Sequence, residues 1–272
     1  MAFFNGELLR LVPNVLRARD FHLYLAGGKR LTDLWRGGGK ALLGHKRPHV
    51  LGELKNAAER GLFCAFPHPL ERRFVKALSE LFPSRAFRLY LNESSLYNAL
   101  KKAGINGPVP LWRPFSEKIP ALKVRSDTFF IPVLPWPLGP EVLVLDKDKE
   151  DSFSPGDLIP PVLLAPAARA LYDLAAAIKE NKTLSFPKID RALGKVSSNE
   201  KGANADVTCV WLRQGIYLKT KTETSGAEYA SLFKKFLEGG FLLPPEPEEP
   251  AILPFTMSQG EEAKLSELLK TR

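Results

Sequence analysis

The chain has 272 residues, of which 44% are hydrophobic and 25% are charged, and its formal net charge is +9. This length and composition are typical of a soluble globular protein with one or two domains. No stretch reaches the roughly 20 consecutive apolar residues that span a bilayer, and the charged start lacks the apolar core of a secretory signal. We therefore expect a cytoplasmic protein without membrane contacts.

The cysteine content excludes two further classes. Only Cys64 and Cys209 occur, and neither belongs to a CxxC motif or a Cys/His cluster. A disulfide framework and a structural zinc site both need more cysteines at closer spacing. We expect no metal, and we expect both thiols to be buried as small apolar groups.

The positive charge is spread along the chain in isolated pairs such as Lys46–Arg47 and Lys101–Lys102. A nucleic-acid surface needs basic residues gathered on one face or interleaved with stacking aromatic residues. We therefore expect no nucleic-acid partner. A basic module that docks onto an acidic protein stays as an alternative.

The first elements in chain order are two helices and a strand. The segment from Pro48 to about Arg60 is helical and ends at Gly61, because glycine tolerates the left-handed C-cap conformation. From 69 to 82, apolar residues recur every three or four positions between charged ones, which predicts an amphipathic helix that faces the core. A strand over 86–91 follows.

The middle of the chain combines short strands with one long helix. Pro132 and Pro135 place a strand over 128–134 at an edge or end it early, because proline removes a hydrogen-bond donor. The strand over 141–145 is apolar on both faces, which indicates helices on both sides. An alanine-rich helix over about 162–179 precedes a polar stretch.

The last part contains two predicted strands and two predicted helices. The strands lie over 208–212 and 215–219. Each helix begins with a serine followed three residues later by a glutamate, namely Ser225 with Glu228 and Ser258 with Glu261. This spacing predicts capping boxes, in which the two side chains satisfy free backbone N–H groups.

The order of several glycines, one acid and one histidine resembles a known family. The matching residues are Gly28, Asp33, Gly37, Gly44, His45 and Pro48, followed near the C-terminus by the run from Phe236 to Pro245. These segments resemble class III pyridoxal-phosphate (PLP) dependent aminotransferases, the group that includes glutamate-1-semialdehyde aminomutase.

The resemblance implies an α/β protein with a reduced PLP-dependent transferase fold of fold type I. A small α+β domain would come from residues 1–91 and 207–272, and a truncated α/β large lobe would come from residues 92–206. It also implies a homodimer, because the sites of this family form at subunit contacts. His45 is implied to be a hydrogen-bonded turn residue, whereas His68 lies between two prolines and is expected to be exposed.

The resemblance further implies where PLP would bind. This cofactor needs a lysine for the Schiff base, an acid at the pyridine nitrogen and a helix N-terminus for the phosphate. Ser94 and Ser95 match the phosphate position, and Asp146 matches the acid. The alternatives are a plain N-cap at Ser94 or Ser95 and a solvated turn after Asp146.

The lysine has no clear match after Asp146. Lys147 and Lys149 are the candidates, although neighbouring charges would keep their amines protonated and solvated. The family's order disfavours Lys118 and Lys123, and Lys195 lacks the glycine cluster that follows the family's lysine. The leading hypothesis is therefore a degenerate, non-catalytic relative that binds a ligand or a protein partner in a residual interdomain cleft. The alternative is a minimal PLP-dependent aminotransferase or aminomutase.

Overall fold

The computed structural model describes most of the chain, in five ranges: 5–116, 129–180, 184–194, 211–220 and 225–270. The packing of the Cα atoms divides the chain into two compact units. The first unit comprises residues 1–46 and 183–272, and the second comprises residues 47–182.

The described residues form eight α-helices and eleven short strands. The helices are α1 (Asn5–Leu9), α2 (Pro48–Glu59), α3 (Pro69–Leu81), α4 (Glu93–Lys102), α5 (Pro161–Lys179), α6 (Pro187–Ala192), α7 (Gly226–Glu238) and α8 (Gln259–Lys270). The strands are β1 (Val15–Arg19), β2 (His22–Leu25), β3 (Arg30–Asp33), β4 (Arg85–Tyr90), β5 (Leu111–Trp112), β6 (Ile131–Pro132), β7 (Glu141–Asp146), β8 (Trp211–Gln214), β9 (Tyr217–Thr220), β10 (Phe241–Leu242) and β11 (Ala251–Ile252). Two 3-10 turns cover Gly37–Gly39 and Lys147–Ser152.

The second unit is built around the antiparallel pair β4 and β7, whose register runs from Arg85 opposite Asp146 to Tyr90 opposite Glu141. Val142 and Val144 pack with residues of α3 and α5 on one face of this pair. Leu143 packs with residues of α4 on the other face. Helices on both sides of β7 confirm the interpretation of its continuous apolar run.

The helices α2 and α3 belong to this unit because both pack against α5. Phe74 and Leu78 of α3 are completely buried in the cluster that also contains Val142. Arg73 forms a two-pronged ion pair with Glu53, with nitrogen to oxygen distances of 3.1 and 2.7 Å, which ties α3 to α2. The apolar face of α3 is thus buried against α5 and β7. The first division of the chain accordingly lies after Lys46, whereas the expected boundary was after residue 91. The second division, after Lys182, likewise differs from the expected one after residue 206.

By length and composition α5 is apolar enough to cross a membrane, a possibility that the sequence analysis did not anticipate. Arg169 and Asp173 interrupt its apolar run and pair with each other at 2.9 Å. More than half of the helix is buried within the second unit, against α2 and α3. These contacts are those of a core helix.

Among its described residues the first unit contains two sheets, of which one combines strands from both ends of the chain and the other uses only C-terminal strands. One has the order β1-β2-β3-β10, with β10 parallel to β3 and Phe241 opposite Thr32. The other has the order β11-β9-β8. Leu34 links them, because its N–H donates to the carbonyl of Leu242 at 2.9 Å and its carbonyl accepts from the N–H of Ile252 at 2.7 Å.

Several local expectations are confirmed. The helices α2, α3 and α5 lie within one or two residues of the predicted bounds, and Gly61 adopts a left-handed φ of 70° after α2. β6 is only two residues long, as the prolines of that segment indicated. Positions 128 and 208–210 of two predicted strands lie outside the described residues.

Two expectations about single side chains are wrong. Cys64 is exposed rather than buried, because it lies in the turn between α2 and α3. His68 is half-buried, and its Nδ1 accepts a hydrogen bond from the N–H of Leu70 at 3.1 Å, so it caps α3. Cys209 lies outside the described residues.

Both predicted capping boxes form. In α7 the Ser225 Oγ accepts from the N–H of Glu228, while the Glu228 carboxylate accepts from the N–H of Ser225. Ser258 and Glu261 make the same reciprocal pair at α8. The second glutamate also accepts from His22 Nε2 at 2.8 Å and from Arg30 Nη2 at 3.0 Å. These contacts join α8 to the four-stranded sheet.

Glu261 should make the stability of the first unit depend on pH. Partial burial raises its pKa, but the hydrogen bonds from Ser258 and His22 outweigh this and lower the pKa from 4.5 to about 2. A depressed pKa means that the stabilisation is present above pH 4.5 and is lost as the pH falls toward 2. Because the carboxylate is only partly buried, solvent screening reduces the effect, and we expect a loss of about 1 to 2 kcal/mol.

Urea unfolding of the wild type and of Glu261→Gln between pH 6 and pH 2 measures this contribution. The difference in unfolding free energy between the two proteins should shrink through this window. Glu228→Gln is the matched control, because Glu228 occupies the same capping position and no histidine or arginine of the described part of the chain contacts it. Parallel pH profiles for the wild type and Glu261→Gln would contradict the assignment.

Candidate functional site

Asp146 ends β7, and its carboxylate is engaged by an arginine. Arg85 lies opposite it in the strand pair, and its Nη1 donates to Asp146 Oδ1. Oδ2 is buried and has no hydrogen-bond partner among the described residues. The candidate acid therefore serves as the counter-charge of a guanidinium at the start of β4.

Lys147 and Lys149 lie in the 3-10 turn that directly follows Asp146, and both are exposed. A Schiff-base lysine needs a dry pocket that favours its neutral form. The turn that holds both lysines is exposed and also contains Asp148 and Glu150, so it does not provide such a pocket. Lys118, Lys123 and Lys195, the other lysines considered, lie outside the described residues.

Ser94 and Ser95 lie in the first turn of α4, but neither caps it. Asn92 is the N-cap, and its Oδ1 accepts from the N–H of Ser95 at 2.9 Å. The signal was present in the sequence, because asparagine immediately before a helix is among the preferred caps. Glu93 adds a negative charge to the same turn, which disfavours a phosphate there.

An aspartate that the sequence analysis missed completes this end of the sheet. Asp157 Oδ2 accepts from the N–H of Leu91 at 2.9 Å, and the N–H of Asp157 donates to the carbonyl of Leu89 at 2.7 Å. The carboxylate of Asp157 thus accepts the hydrogen bond of a backbone N–H group in the short segment between β4 and α4. No local pattern predicted it, because 66 residues separate Asp157 from Leu91.

The candidate acid and the candidate phosphate site lie at opposite ends of the β4–β7 pair. Asp146 is opposite Arg85, the first residue of β4, whereas Ser94 and Ser95 follow Tyr90, its last residue. Five residue steps along a strand correspond to roughly 17 Å. PLP carries its phosphate arm and its pyridine nitrogen on a single aromatic ring, so one molecule cannot reach both ends. The predicted residues do not fit the cofactor as a set.

The first unit contains a buried polar cluster at the end of β3. Asp33 is 2% exposed, and its Oδ1 accepts from the N–H groups of Trp35 and Arg36, both at 2.8 Å. Its Oδ2 contacts His45 Nε2 at 2.8 Å. This contact confirms that His45 is a hydrogen-bonded turn residue, as the resemblance implied.

Gly44 allows this arrangement. It has a φ of 101°, and the N–H of the following histidine donates to the carbonyl of Asp20 at 2.8 Å. A Cβ at Gly44 would lie 3.1 Å from that same carbonyl oxygen. Glycine is therefore required both by the backbone conformation and by the close approach of the two segments.

Arg36 is the central residue of the cluster that sequence reasoning missed. Its side chain is completely buried, its Nη1 donates to the carbonyl of Leu42 at 2.9 Å, and its guanidinium lies 5.1 Å from the ring centre of Phe21. Burial lowers its pKa to about 10, although the charge of Asp33 opposes this shift. An arginine beside three glycines is typical of an exposed turn, so its burial had no signal in the sequence.

The adjacent Trp35 holds an acidic residue from the C-terminal part of the chain. Its indole Nε1 donates to Glu249 Oε2 at 2.8 Å, and a Cβ at Gly38 would lie 3.2 Å from Glu249 Oε1.

Within the described residues, no group of three or more His, Cys, Asp or Glu side chains is arranged to hold a metal ion.

The sequence comparisons give full-length relatives of unknown role and one short enzyme match. No family model matches the chain. It is 26% identical over 292 residues to an uncharacterized protein of Treponema pallidum, with 93% of both chains covered, and 23% identical over 265 residues to one of Borreliella burgdorferi. A match to glutamate-1-semialdehyde 2,1-aminomutase of Sorangium cellulosum is 37% identical over 70 residues, which cover 26% of this chain and 16% of that enzyme.

The structural comparisons identify the fold. Ornithine aminotransferase from Plasmodium yoelii matches with a TM-score of 0.64 and 14% identity, covering 95% of this chain and 92% of that one. A glutamate-1-semialdehyde aminomutase from Pseudomonas aeruginosa, solved in complex with PMP, matches with a TM-score of 0.61 and 13% identity, covering 95% and 86%. The chain therefore has the fold type I architecture of class III PLP-dependent aminotransferases, as the resemblance in its sequence implied.

Proposed function

We propose that this chain is a non-catalytic relative of the class III aminotransferases that acts by binding a ligand or a protein partner. The observation that carries the proposal is the separation of the candidate cofactor residues. Asp146 and the serine pair Ser94 and Ser95 occupy opposite ends of one antiparallel strand pair. A single PLP molecule is too short to span the roughly 17 Å between them.

The contacts already made by these residues support the same conclusion. Asp146 forms an ion pair with Arg85. Because the guanidinium already neutralises this carboxylate, its attraction for a pyridinium is weakened. At the other end, Asn92 and Asp157 accept the backbone N–H groups of Ser95 and Leu91. Acceptors in these positions repel a phosphate, which itself needs donors.

The test is the absorption spectrum of the purified protein after incubation with PLP and desalting, followed by borohydride reduction and intact-mass analysis. We expect no retained absorption band in the internal-aldimine region and no stoichiometric reduced adduct. An authentic class III aminotransferase treated in parallel is the positive control. Lys147→Ala and Lys149→Ala show whether any adduct that does form lies on the two candidate lysines.

The alternative is a minimal PLP-dependent enzyme that acts on amino groups. One reduced adduct on one lysine, with a retained band, would establish this alternative and overturn the non-catalytic proposal. The homodimer, the basic docking module and a ligand site in an interdomain cleft stay predictions.

A further inference from the structure

Arg36 has an unsatisfied edge. Its Nη1 donates to the carbonyl of Leu42, but Nε and Nη2 have no hydrogen-bond partner among the described residues. These two nitrogens lie on the same side of the guanidinium and point their N–H groups in parallel. This is the edge with which arginine binds a carboxylate through two hydrogen bonds.

The surroundings of Arg36 do not fill this edge. Asp33 is the nearby acid, but its oxygens accept from two backbone N–H groups and contact His45. A fully buried guanidinium whose N–H groups have no acceptor destabilises the folded state, because these groups have lost their hydrogen bonds to water without gaining others. The arrangement therefore calls for an acceptor that the described residues do not supply.

Arg213 shows what the satisfied arrangement looks like in the same unit. Its Nη1 also donates to a backbone carbonyl, that of Gly215, and its guanidinium lies 5.8 Å from the ring centre of Phe186. Its Nε and Nη2 donate to the two oxygens of Asp190 at 2.7 and 3.0 Å. Arg36 matches Arg213 in the carbonyl contact and the aromatic neighbour, and differs in lacking the carboxylate.

We propose that the Nε and Nη2 edge of Arg36 binds the carboxylate group of a small ligand. The planar carboxylate matches the two parallel donors, as Asp190 does at Arg213. A tetrahedral oxyanion has further oxygens that these two parallel donors leave unsatisfied. The inference goes beyond the proposed function, since it concerns a different unit from the one that the borohydride experiment probes.

The burial of Arg36 has a kinetic consequence. Because the side chain is 0% exposed, a ligand reaches this edge only when the chain around Arg36 opens locally. Local opening makes binding and release slow compared with those at an exposed arginine. Mixtures with the ligand should therefore be equilibrated before they are measured.

The test uses formate, the smallest carboxylate, with chloride keeping the ionic strength constant. We expect a saturable shift of one arginine Nε–H signal in ¹H–¹⁵N spectra of the full chain. We also expect a rise in melting temperature of roughly 5 to 10 °C at a hundredfold excess over the Kd. Phosphate at the same ionic strength should give a smaller shift.

Three variants make the test specific. Arg36→Met removes the donors at similar volume and should abolish the formate response; Asp33 keeps its two backbone N–H contacts and His45 in this variant, and circular dichroism checks that it is folded. Arg36→Lys keeps the charge but loses the paired donors, and should weaken binding at least about tenfold. Arg17→Met is the matched control, since Arg17 also lies over an aromatic ring, that of Tyr24, but is exposed. Its formate response should equal that of the wild type.

Two outcomes would overturn the proposal. An equal formate response in Arg36→Met would place the binding elsewhere. No saturable response in the wild type would mean that water or the chain itself satisfies this edge, and a bound water would be detected by its cross-peaks to the Nε–H signal.

Discussion

Replacing Asp33 by alanine is expected to lower the free energy of unfolding of the first unit by about 3 to 5 kcal/mol. The carboxylate is 2% exposed and accepts from the N–H groups of Trp35 and Arg36. Its removal leaves these donors and the buried guanidinium of Arg36 without their acceptor and counter-charge. Breaking one side of a buried charge pair costs more than removing both sides.

Urea unfolding followed by hydrogen exchange at the Trp35 and Arg36 amides measures this effect. Both amides should exchange faster in Asp33→Ala, because each donates to Asp33 Oδ1. The double variant Asp33→Asn with Arg36→Met is the control, and it should recover part of the lost stability because no charge stays buried alone. A loss of unfolding free energy below about 1 kcal/mol in Asp33→Ala would contradict this prediction, because it would equal the contribution of a solvent-exposed ion pair.

Replacing Gly156 by alanine is expected to destabilise the second unit by about 3 kcal/mol. A Cβ at this position would lie 2.3 Å from the carbonyl oxygen of Leu89 and 2.8 Å from its nitrogen. Both atoms belong to the backbone of β4, so neither can rotate away as the end of a side chain would. Relief of the clash must move the segment from β4 and break the bond between the N–H of Asp157 and the carbonyl of Leu89.

Gly52→Ala provides a matched control in the same unit. Gly52 lies in α2, and nothing lies within 4 Å of a Cβ built there. Alanine should stabilise this helix by about 0.5 to 1 kcal/mol, because glycine loses more backbone freedom on folding. Thermal unfolding of the two variants should shift in opposite directions. A neutral Gly156→Ala would contradict the close packing of this segment on β4.

The Gly156 prediction also bears on the proposed lack of catalysis. The same segment places the Asp157 carboxylate on the N–H of Leu91, at the end of β4 where the resemblance implied a phosphate site. If the segment is displaced, this donor is released. Even then, Asn92 and Glu93 would leave acceptors and negative charge at the start of α4, so PLP retention should not appear in Gly156→Ala.

The sequence by itself determined the parts of the fold that depend on neighbours within a few residues. The amphipathic spacing of α3, the capping boxes Ser225–Glu228 and Ser258–Glu261, and the left-handed Gly61 were all readable, because helix faces and caps are set within one or two turns. The order of Gly28, Asp33 and His45 also indicated the fold type before any contact was known.

Only the tertiary structure showed which of the candidate site residues lie close together and which side chains are buried. The antiparallel register of β4 and β7 places Asp146 and Ser94 at opposite ends of the pair, although a linear motif order had suggested one pocket. Arg36 is buried because segments distant in sequence, including Phe21, close around it. Strand register and burial depend on contacts between residues far apart in the chain, and no local pattern of charge or hydrophobicity specifies which of those contacts form.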